Sequence, residues 1–342
     1  VSDTATDPGF GALVVSLDFE LLWGVRDRYP ADGGSYRQNL LGVRQAVPRM
    51  LALFREFDIA VTWATVGALF ARSRAELERF RPAELPAYRN ARLSVAGEPV
   101  GEDEASDPLR FAPTLIGQIQ AVPRQEIGTH TFFHSYALEP GQTRTAFAAD
   151  LASAVAIAER QGLQLRSIVF PRNQVNRSYL DLLPGFGLTS YRGNPRHWAY
   201  SGLPGRRLIT LARRAGRLVD TYAGGTRHIA RWSDVLQADG LCDVPASRFL
   251  RPHTPRLRRL DRLRAHRIRQ ELKAAAAGHG IYHLWWHPHN FGVHLEQNID
   301  FLRGVLEDFA ACRERYGMRS LSMSQVAELA LAPQGRPASG GP

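Results

Sequence analysis

A strand, a helix and a second strand within the first 67 residues constrain the fold of this chain more than any other feature. Residues 12–18 are apolar enough for an interior strand, and residues 59–67 (IAVTWATVG) form a second β-rich run closed by glycine. Between them, residues 39–57 place apolar side chains at helical spacing. Two strands joined by a helical crossover form the unit of a parallel sheet, because parallel neighbours need a long connection.

The same alternation continues towards the C-terminus. Strands are expected at 125–130 (QEIGTH), 165–173, 188–193 and 280–286, with helices between them and a last strand and helix after residue 319. This order predicts an α/β fold, with a closed or nearly closed β/α barrel as the simplest architecture. Chemistry in such barrels lies at the carboxyl ends of the strands.

The domain organisation follows from length and composition. The 342 residues, 44% of them hydrophobic, can fill one large core. We predict a single domain over 1–335, with insertions at about 71–113 and 194–280 and a disordered tail at 336–342. The first ten residues resemble no signal peptide and no apolar run is long enough to span a bilayer, so a cytoplasmic location is expected. The two cysteines lack CxxC spacing, so no disulfide framework is expected.

The formal net charge is +10, and Lys273 is the only lysine among the cationic residues. A GC-rich genome would account for so much arginine without any functional role. The functional alternative is an anionic partner, such as a phosphorylated lipid, a phosphorylated sugar or an acidic membrane surface. A basic amphipathic helix at 256–277 points to peripheral contact with an anionic inner membrane face. No nucleic-acid-binding signature occurs, so a specific nucleic acid is not expected as a partner.

Two carboxylates follow the first strand, in SLDFELLWG. Asp18 and Glu20 are two residues apart, so on a strand they point to the same side and can face one site. Two close carboxylates in a partly dry site repel each other unless a cation or an arginine lies between them. The alternative is a pair of strand-end acids that contact only solvent or surface arginines.

A second motif, HTFFH, follows the third strand. His130 and His134 have the i, i+4 spacing that puts two imidazoles on one side of a helical turn, an arrangement that often holds a metal. The glutamate of HExxH is absent, so a zincin is not indicated. Two histidines and one carboxylate with open positions would make a catalytic type of metal site.

Two later strand ends supply the remaining candidate site residues. Arg172 could pair with the carboxylate that does not bind metal, and Asn173 follows it. His287, at the end of an aromatic strand, suits a general acid. Aromatic and polar side chains at these strand ends suit the binding of sugar rings, and we expect substrate contacts from Trp23, Asn173, Trp286, His289 and Asn290.

In this order, the four segments resemble the polysaccharide deacetylase family (NodB-homology, carbohydrate esterase family 4) over roughly residues 12–330. The resemblance implies a distorted, incomplete β/α barrel of about seven strands. It also implies Asp18 as the base and Glu20 as a metal ligand with His130 and His134, although the reverse roles for the two acids stay open. The first motif differs from the common pair of adjacent aspartates, and Arg172 follows Pro171 where the family has arginine before proline.

The resemblance implies a hydrolase that depends on one divalent metal, expected to be Zn²⁺, and removes an N-acyl group, expected to be acetyl, from an amino sugar. The sugar is expected to be nucleotide- or lipid-linked and to belong to surface polysaccharide or lipopolysaccharide biosynthesis. Two alternatives are kept: a deformylase or small-amide hydrolase on the same fold, and a non-catalytic carbohydrate-binding protein.

Overall fold

A single parallel sheet organises the protein. The computed structural model describes residues 7–195, Gly216 and residues 227–332. Within these residues, nine strands pair with parallel neighbours. They are β1 (Ala12–Phe19), β2 (Val61–Thr65), β3 (Gln125–Thr129), β4 (Ser167–Ile168), β5 (Ser190–Tyr191), β6 (Cys242–Asp243), β7 (Arg248–Phe249), β8 (Ile281–Trp286) and β9 (Arg319–Leu321).

The strand order is β6-β5-β4-β3-β2-β1-β8-β7, and β9 pairs with the first three residues of β1. No pairing closes β6 onto β7 among the residues that the structure describes. The sheet is therefore a curled, open half-barrel, which confirms the prediction of a distorted and incomplete β/α barrel. Strand β1 is an interior strand between β2 and β8, and all eight of its residues are buried.

Helices cover the outer side of the sheet. They are α1 (Arg37–Glu56), α2 (Arg74–Arg79), α3 (Pro113–Gln120), α4 (Arg144–Glu159), α5 (Asp261–Ala277), α6 (Leu295–Tyr316) and α7 (Met323–Leu331). Their apolar sides and the apolar side chains of the long strands form one large core. This burial contributes most of the stabilisation of such a fold. None of the helices in the described ranges is both long and apolar enough to cross a bilayer.

The two predicted insertions differ in what they contain. Residues 71–112 include α2 and a 3₁₀ turn at Ala91–Leu93 and add no strand to the sheet. The segment 194–280, in contrast, supplies β6, β7 and α5, so its second half belongs to the barrel. Strands of two residues carry no alternating pattern that a sequence can reveal, which explains why β6 and β7 exceed the expected count of seven. Residues 196–215, 217–226 and the predicted tail 336–342 lie outside the described residues.

Because all strands are parallel, their carboxyl ends meet at one edge of the sheet. The residues that follow β1, β3, β4, β5 and β8 are therefore brought together there. Five non-glycine residues at this edge adopt left-handed backbone conformations: Leu21, Thr131, His134, Arg172 and Asn173. Such conformations cost of order 1–3 kcal/mol each and cluster at functional sites.

Candidate metal and acid–base site

Glu20, His130 and His134 form a compact buried cluster at the carboxyl edge of the sheet. Their ligand atoms all lie within 4.8 Å of one another. The Oε2 atom of Glu20 is 3.3 Å from Nε2 of His130 and 3.0 Å from Nε2 of His134. Two imidazoles and one carboxylate are a donor set that suits a divalent metal such as zinc and leaves positions for water.

The hydrogen bonding of His130 supports a cation in this cluster. Its Nδ1 is 2.7 Å from the carbonyl oxygen of Val169, which can only accept, so Nδ1 carries the proton and Nε2 is a bare acceptor. This Nε2 is buried, has no hydrogen-bond partner among the residues that the structure describes, and faces a carboxylate oxygen of Glu20. Two electron-rich atoms face each other favourably only when a cation lies between them, so the residues present fit a bound metal.

One buried acid fixes the loop that carries the two histidines through hydrogen bonds to the loop backbone. The carboxylate of Asp150, on α4, accepts hydrogen bonds from the backbone N–H groups of Phe132 (2.6 Å) and Phe133 (3.1 Å). Both amides lie between His130 and His134. These bonds allow the turn to depart from a regular helix and still satisfy its buried donors.

A glycine makes room for the metal-facing acid. After β1, residues Leu21–Gly24 form a 3₁₀ turn, and the Glu20 carboxylate packs directly over Gly24. A side chain at position 24 would overlap this carboxylate. Gly24 therefore allows Glu20 to point back towards the histidines instead of away from the sheet.

Asp18 is held by Arg192, which was not among the site residues predicted from the sequence. The Arg192 guanidinium donates from Nη1 to Oδ1 (2.7 Å) and from Nη2 to Oδ2 (2.8 Å) of Asp18. The side chains are 0% and 4% exposed, respectively. Nη2 also donates to Oδ1 of Asn173 (2.9 Å), and the guanidinium lies 4.3 Å from the ring centroid of Trp285.

Arg172, which was expected to hold the free carboxylate, has a different partner. It forms an ion pair with Asp27, and its guanidinium lies 4.3 Å from the centroid of the Tyr136 ring. Arg172 itself adopts a left-handed backbone conformation (φ 55°). Asn173, predicted to contact substrate, accepts a hydrogen bond from Arg192 through its Oδ1. The arginine partner of Asp18 thus comes from the end of β5 and not from the end of β4.

His287 lies beside both acids, as its place at the end of β8 predicts. Its Nε2 is 3.8 Å from Oδ2 of Asp18 and 3.6 Å from Oε1 of Glu20. The side chain is 23% exposed, so it borders the opening of the site. Asn290 lies within 3.5 Å of its Nδ1 and accepts a hydrogen bond from the Tyr36 hydroxyl (2.9 Å), so Asn290 orients the imidazole from behind.

The aromatic side chains are distributed by strand alternation. On β8, His283 and Trp285 share the face that His287 continues directly after the strand, and Trp286 lies on the other face. Trp286 is fully buried and stacks on Phe291, so its predicted substrate contact is not possible in this structure. The half-buried Trp285 faces the site instead, packed against Phe249 at a centroid distance of 4.7 Å.

Two other expected substrate contacts are also buried. Trp23 is 2% exposed, and its indole N–H donates to the carbonyl oxygen of Arg110. His289 is 3% exposed, and burial lowers its pKa to about 3. Both side chains support the site from the interior of the protein, because the turns after β1 and β8 direct them towards the core.

The charges around the two acids keep both ionised. Burial raises the pKa of Asp18, but Arg192 above all outweighs this effect, and the net shift is downward. Burial likewise raises the pKa of Glu20, and the nearby His287 and His134 bring it well below its usual value. His134 has its pKa lowered to about 4, chiefly by burial. A neutral imidazole beside a carboxylate is the state that binds a metal.

Several solved structures have the same overall fold as this chain. A Mycobacterium smegmatis protein named as a polysaccharide deacetylase superposes with a TM-score of 0.60 at 17% identity, over 98% of this chain and 97% of its own. The allantoinase PuuE gives 0.55 at 12% identity, over 96% and 94%. A Pseudomonas aeruginosa PAO1 protein also named as a polysaccharide deacetylase gives 0.53 at 10% identity, over 93% and 90%.

No protein-family model matches the chain, and no curated protein sequence matches it. The likeness is therefore one of fold, and it extends over nearly the whole of each chain. It agrees with the family resemblance of the sequence at the level of the fold. The chain has the NodB-like fold that these polysaccharide deacetylases and the allantoinase share.

Proposed function

We propose that this protein is a metal-dependent hydrolase that removes an N-acyl group, most simply acetyl, from an amino sugar. The observation that carries the proposal is the buried cluster of Glu20, His130 and His134 beside a carboxylate, Asp18, that is held separately by arginine. The cluster would hold one divalent ion, with zinc the best match to its donors. When bound, such an ion lowers the pKa of water and polarises an amide carbonyl.

In this proposal the chain's own groups move the protons. Asp18 cannot turn towards the metal without losing two hydrogen bonds to Arg192, so it stays free to act as the general base. Asp18 accepts a proton as the oxygen of water bonds to the carbonyl carbon. His287, on the open side, donates a proton to the amide nitrogen as the C–N bond breaks. The products are a carboxylic acid and a free amine.

The aromatic surface beside His287 favours a sugar as the leaving amine. Trp285 and Phe249 line this side of the site, and aromatic faces pack well against the apolar faces of sugar rings. A sugar linked to a nucleotide or lipid in surface polysaccharide synthesis remains our preferred substrate. A deformylase or a hydrolase of small amides is a second candidate, since the allantoinase has the same fold.

The test combines metal content with substrate profiling. The purified protein is loaded with Zn²⁺ and assayed on N-acetylglucosamine oligomers, on UDP-N-acetylglucosamine, on N-formylated amino sugars and on hydantoin. We expect acid release from an acylated sugar in the wild type and in His266→Ala, an exposed control. His130→Ala and His134→Ala are expected to lose both metal and turnover. Full metal content and full turnover in these two variants would refute the site.

The substrate panel also separates the candidates. Hydrolysis of hydantoin alone would favour a hydrolase of small amides, and release of formate alone would favour a deformylase. A wild-type protein that binds sugar oligomers but neither retains metal nor hydrolyses any substrate would indicate a carbohydrate-binding protein.

The membrane contact expected from the sequence has structural support in a basic rim. This rim consists of Arg256, Arg258, Arg259 and Arg262, all exposed, beside Leu263, which is 52% exposed. Within the described part of the chain none of the four pairs with an acid. The rim belongs to the segment that follows β7, whose carboxyl end lies at the edge of the sheet that holds the site, which favours lipid contact on that side of the barrel.

Sedimentation with vesicles tests this contact. We expect binding to vesicles that contain phosphatidylglycerol, weak binding to phosphatidylcholine alone and release by salt. The triple variant Arg258→Gln, Arg259→Gln, Arg262→Gln should lose binding. Its control, Arg55→Gln, Arg72→Gln, Arg92→Gln, has the same net charge and should keep it. Equal loss in the two triple variants would show only a general effect of net charge.

A further inference from the structure

A chain of buried hydrogen bonds continues from Arg192 into the barrel interior. Nη1 of Arg192 is 2.9 Å from Oγ of Ser16, and this Oγ is 2.8 Å from Nε2 of His283. The side chains of all three residues are fully buried. Ser16 precedes Asp18 by two residues on β1, so both point to the same side of the sheet and reach the same guanidinium.

The directions of these hydrogen bonds are fixed by proton counting. Nδ1 of His283 is 3.0 Å from the carbonyl oxygen of Val244, so Nδ1 donates and Nε2 accepts. The hydroxyl of Ser16 must then donate to His283, which leaves its oxygen to accept from Arg192. Burial, and next Arg192, lower the pKa of His283 to about 3, so the imidazole is neutral. The chain runs in one direction, from the guanidinium through the hydroxyl to the imidazole.

We propose that Ser16 and His283 are positioning residues that hold the Arg192 guanidinium in the plane in which it binds both oxygens of Asp18. Arginine has several rotatable bonds, and Nε of Arg192 has no hydrogen-bond partner in the described residues. The orientation of the guanidinium therefore depends on its two Nη atoms. Nη1 contacts Ser16, and Nη2 contacts Asn173. The face is covered by Trp285.

The proposal has a direct energetic consequence. Without Oγ of Ser16, one buried N–H of a cation loses its acceptor, and such groups are costly to leave unpaired. Rotation of the guanidinium to find another acceptor would break the bidentate contact with Asp18. The inference rests on the proposed function in one respect, since it takes Asp18 to be the general base.

Three variants and a control test the role through kinetics. Ser16→Ala and His283→Leu are expected to lower kcat by about ten- to a hundredfold, with KM changed less than about twofold, because misplacement of a reacting group lowers the rate of chemistry. His283→Gln, whose amide oxygen can accept from Ser16, should recover part of the loss. The control Ser190→Ala removes a buried hydroxyl from β5, the strand that directly precedes Arg192, where its partner is Ser167. The kcat of this control should stay within about twofold of the wild-type value.

A second measurement does not depend on activity. In ¹⁵N-edited NMR spectra, a fixed guanidinium gives separate Nη signals, which collapse when it rotates. We expect separate Arg192 signals in the wild type and in Ser190→Ala, and their loss in Ser16→Ala and His283→Leu. If no substrate is hydrolysed, the proposed function fails while these spectra still decide the positioning role. Unchanged Arg192 signals in folded Ser16→Ala, or an equal kcat for His283→Leu and His283→Gln, would overturn the proposal.

Discussion

Arg192 binds Asp18 through two hydrogen bonds of 2.7 and 2.8 Å, although 174 residues separate them in the chain. Both side chains are buried, so the pair is a bidentate contact shielded from water and salt. The pair leaves Glu20 as the acid that faces the two histidines. The structure thus gives the two acids of SLDFELLWG different surroundings.

The first prediction concerns the two arginines. Arg192→Met should lower the free energy of unfolding by about 3–5 kcal/mol, because it leaves the charge of Asp18 buried and unpaired. Arg172→Met should have a smaller effect, since Arg172 and its partner Asp27 are partly exposed. Urea denaturation of the two variants at neutral pH gives the comparison. Equal losses would contradict the assignment of Arg192 as the main partner of Asp18.

The second prediction separates the two acids by metal binding. Glu20→Gln should weaken binding of Zn²⁺ by at least about tenfold, because it removes a charged ligand. Asp18→Asn should keep most of the affinity and lose turnover, since its carboxylate faces Arg192. Competition with a chromogenic chelator measures both affinities. The reverse pattern would mean that the acids exchange roles.

The third prediction concerns Asp150, which anchors the histidine loop. Asp150→Asn keeps the size of the side chain but removes one of the two acceptors for the amides of Phe132 and Phe133. We expect the affinity for Zn²⁺ to fall by about 10- to 100-fold, as for other groups that orient metal ligands. Asp181→Asn, an exposed acid that pairs with Arg144, is the control. Chelator competition on both proteins would show whether the loop depends on this acid.

The fourth prediction follows from the alternation of β8. Trp286→Ala should destabilise the fold by about 3–5 kcal/mol, because it empties a fully buried volume. Trp285→Ala should destabilise less and raise KM for a sugar substrate, since Trp285 is half-buried at the site. Thermal unfolding and steady-state kinetics distinguish the two effects. A raised KM in Trp286→Ala with unchanged stability would count against this assignment.

The fifth prediction concerns pH and the neutral buried histidines. Burial lowers the pKa of His283 and of His289 to about 3, below the usual value of 6.5. Between these values the unfolded state binds more protons than the folded state, so stability is highest above pH 6.5 and falls as the pH drops towards 3. Each histidine contributes up to about 1.4 kcal/mol per pH unit in that window.

Urea denaturation from pH 7 to pH 4 measures this slope. His289→Asn should flatten it, because asparagine does not titrate. His266→Asn, at an exposed position, should leave it unchanged. If His289→Asn and the wild type had the same slope, the pKa of His289 would have to be the same in the folded and unfolded states.

The sequence alone determined the strand–helix alternation, the carboxyl-edge position of the site and three of its members. His130 and His134 were predicted from their spacing within one short motif, and Glu20 was predicted as the third ligand from the family resemblance of the sequence. His287 was found for a related reason, since it directly follows the apolar run of β8. Features that depend on residues close together in the chain can therefore be predicted from the sequence.

The tertiary structure alone decided the partners across the barrel. Arg192 follows a strand of two residues, which has no readable pattern, and only its three-dimensional contacts distinguish it from Arg172. Which of two adjacent tryptophans faces the site depended on the strand register, because a shift of one residue exchanges the two faces. The hydrogen bonds of Asp150, Ser16 and His283 join segments far apart in sequence. Side-chain contacts of this kind depend on how the strands and helices pack, and no local pattern encodes them.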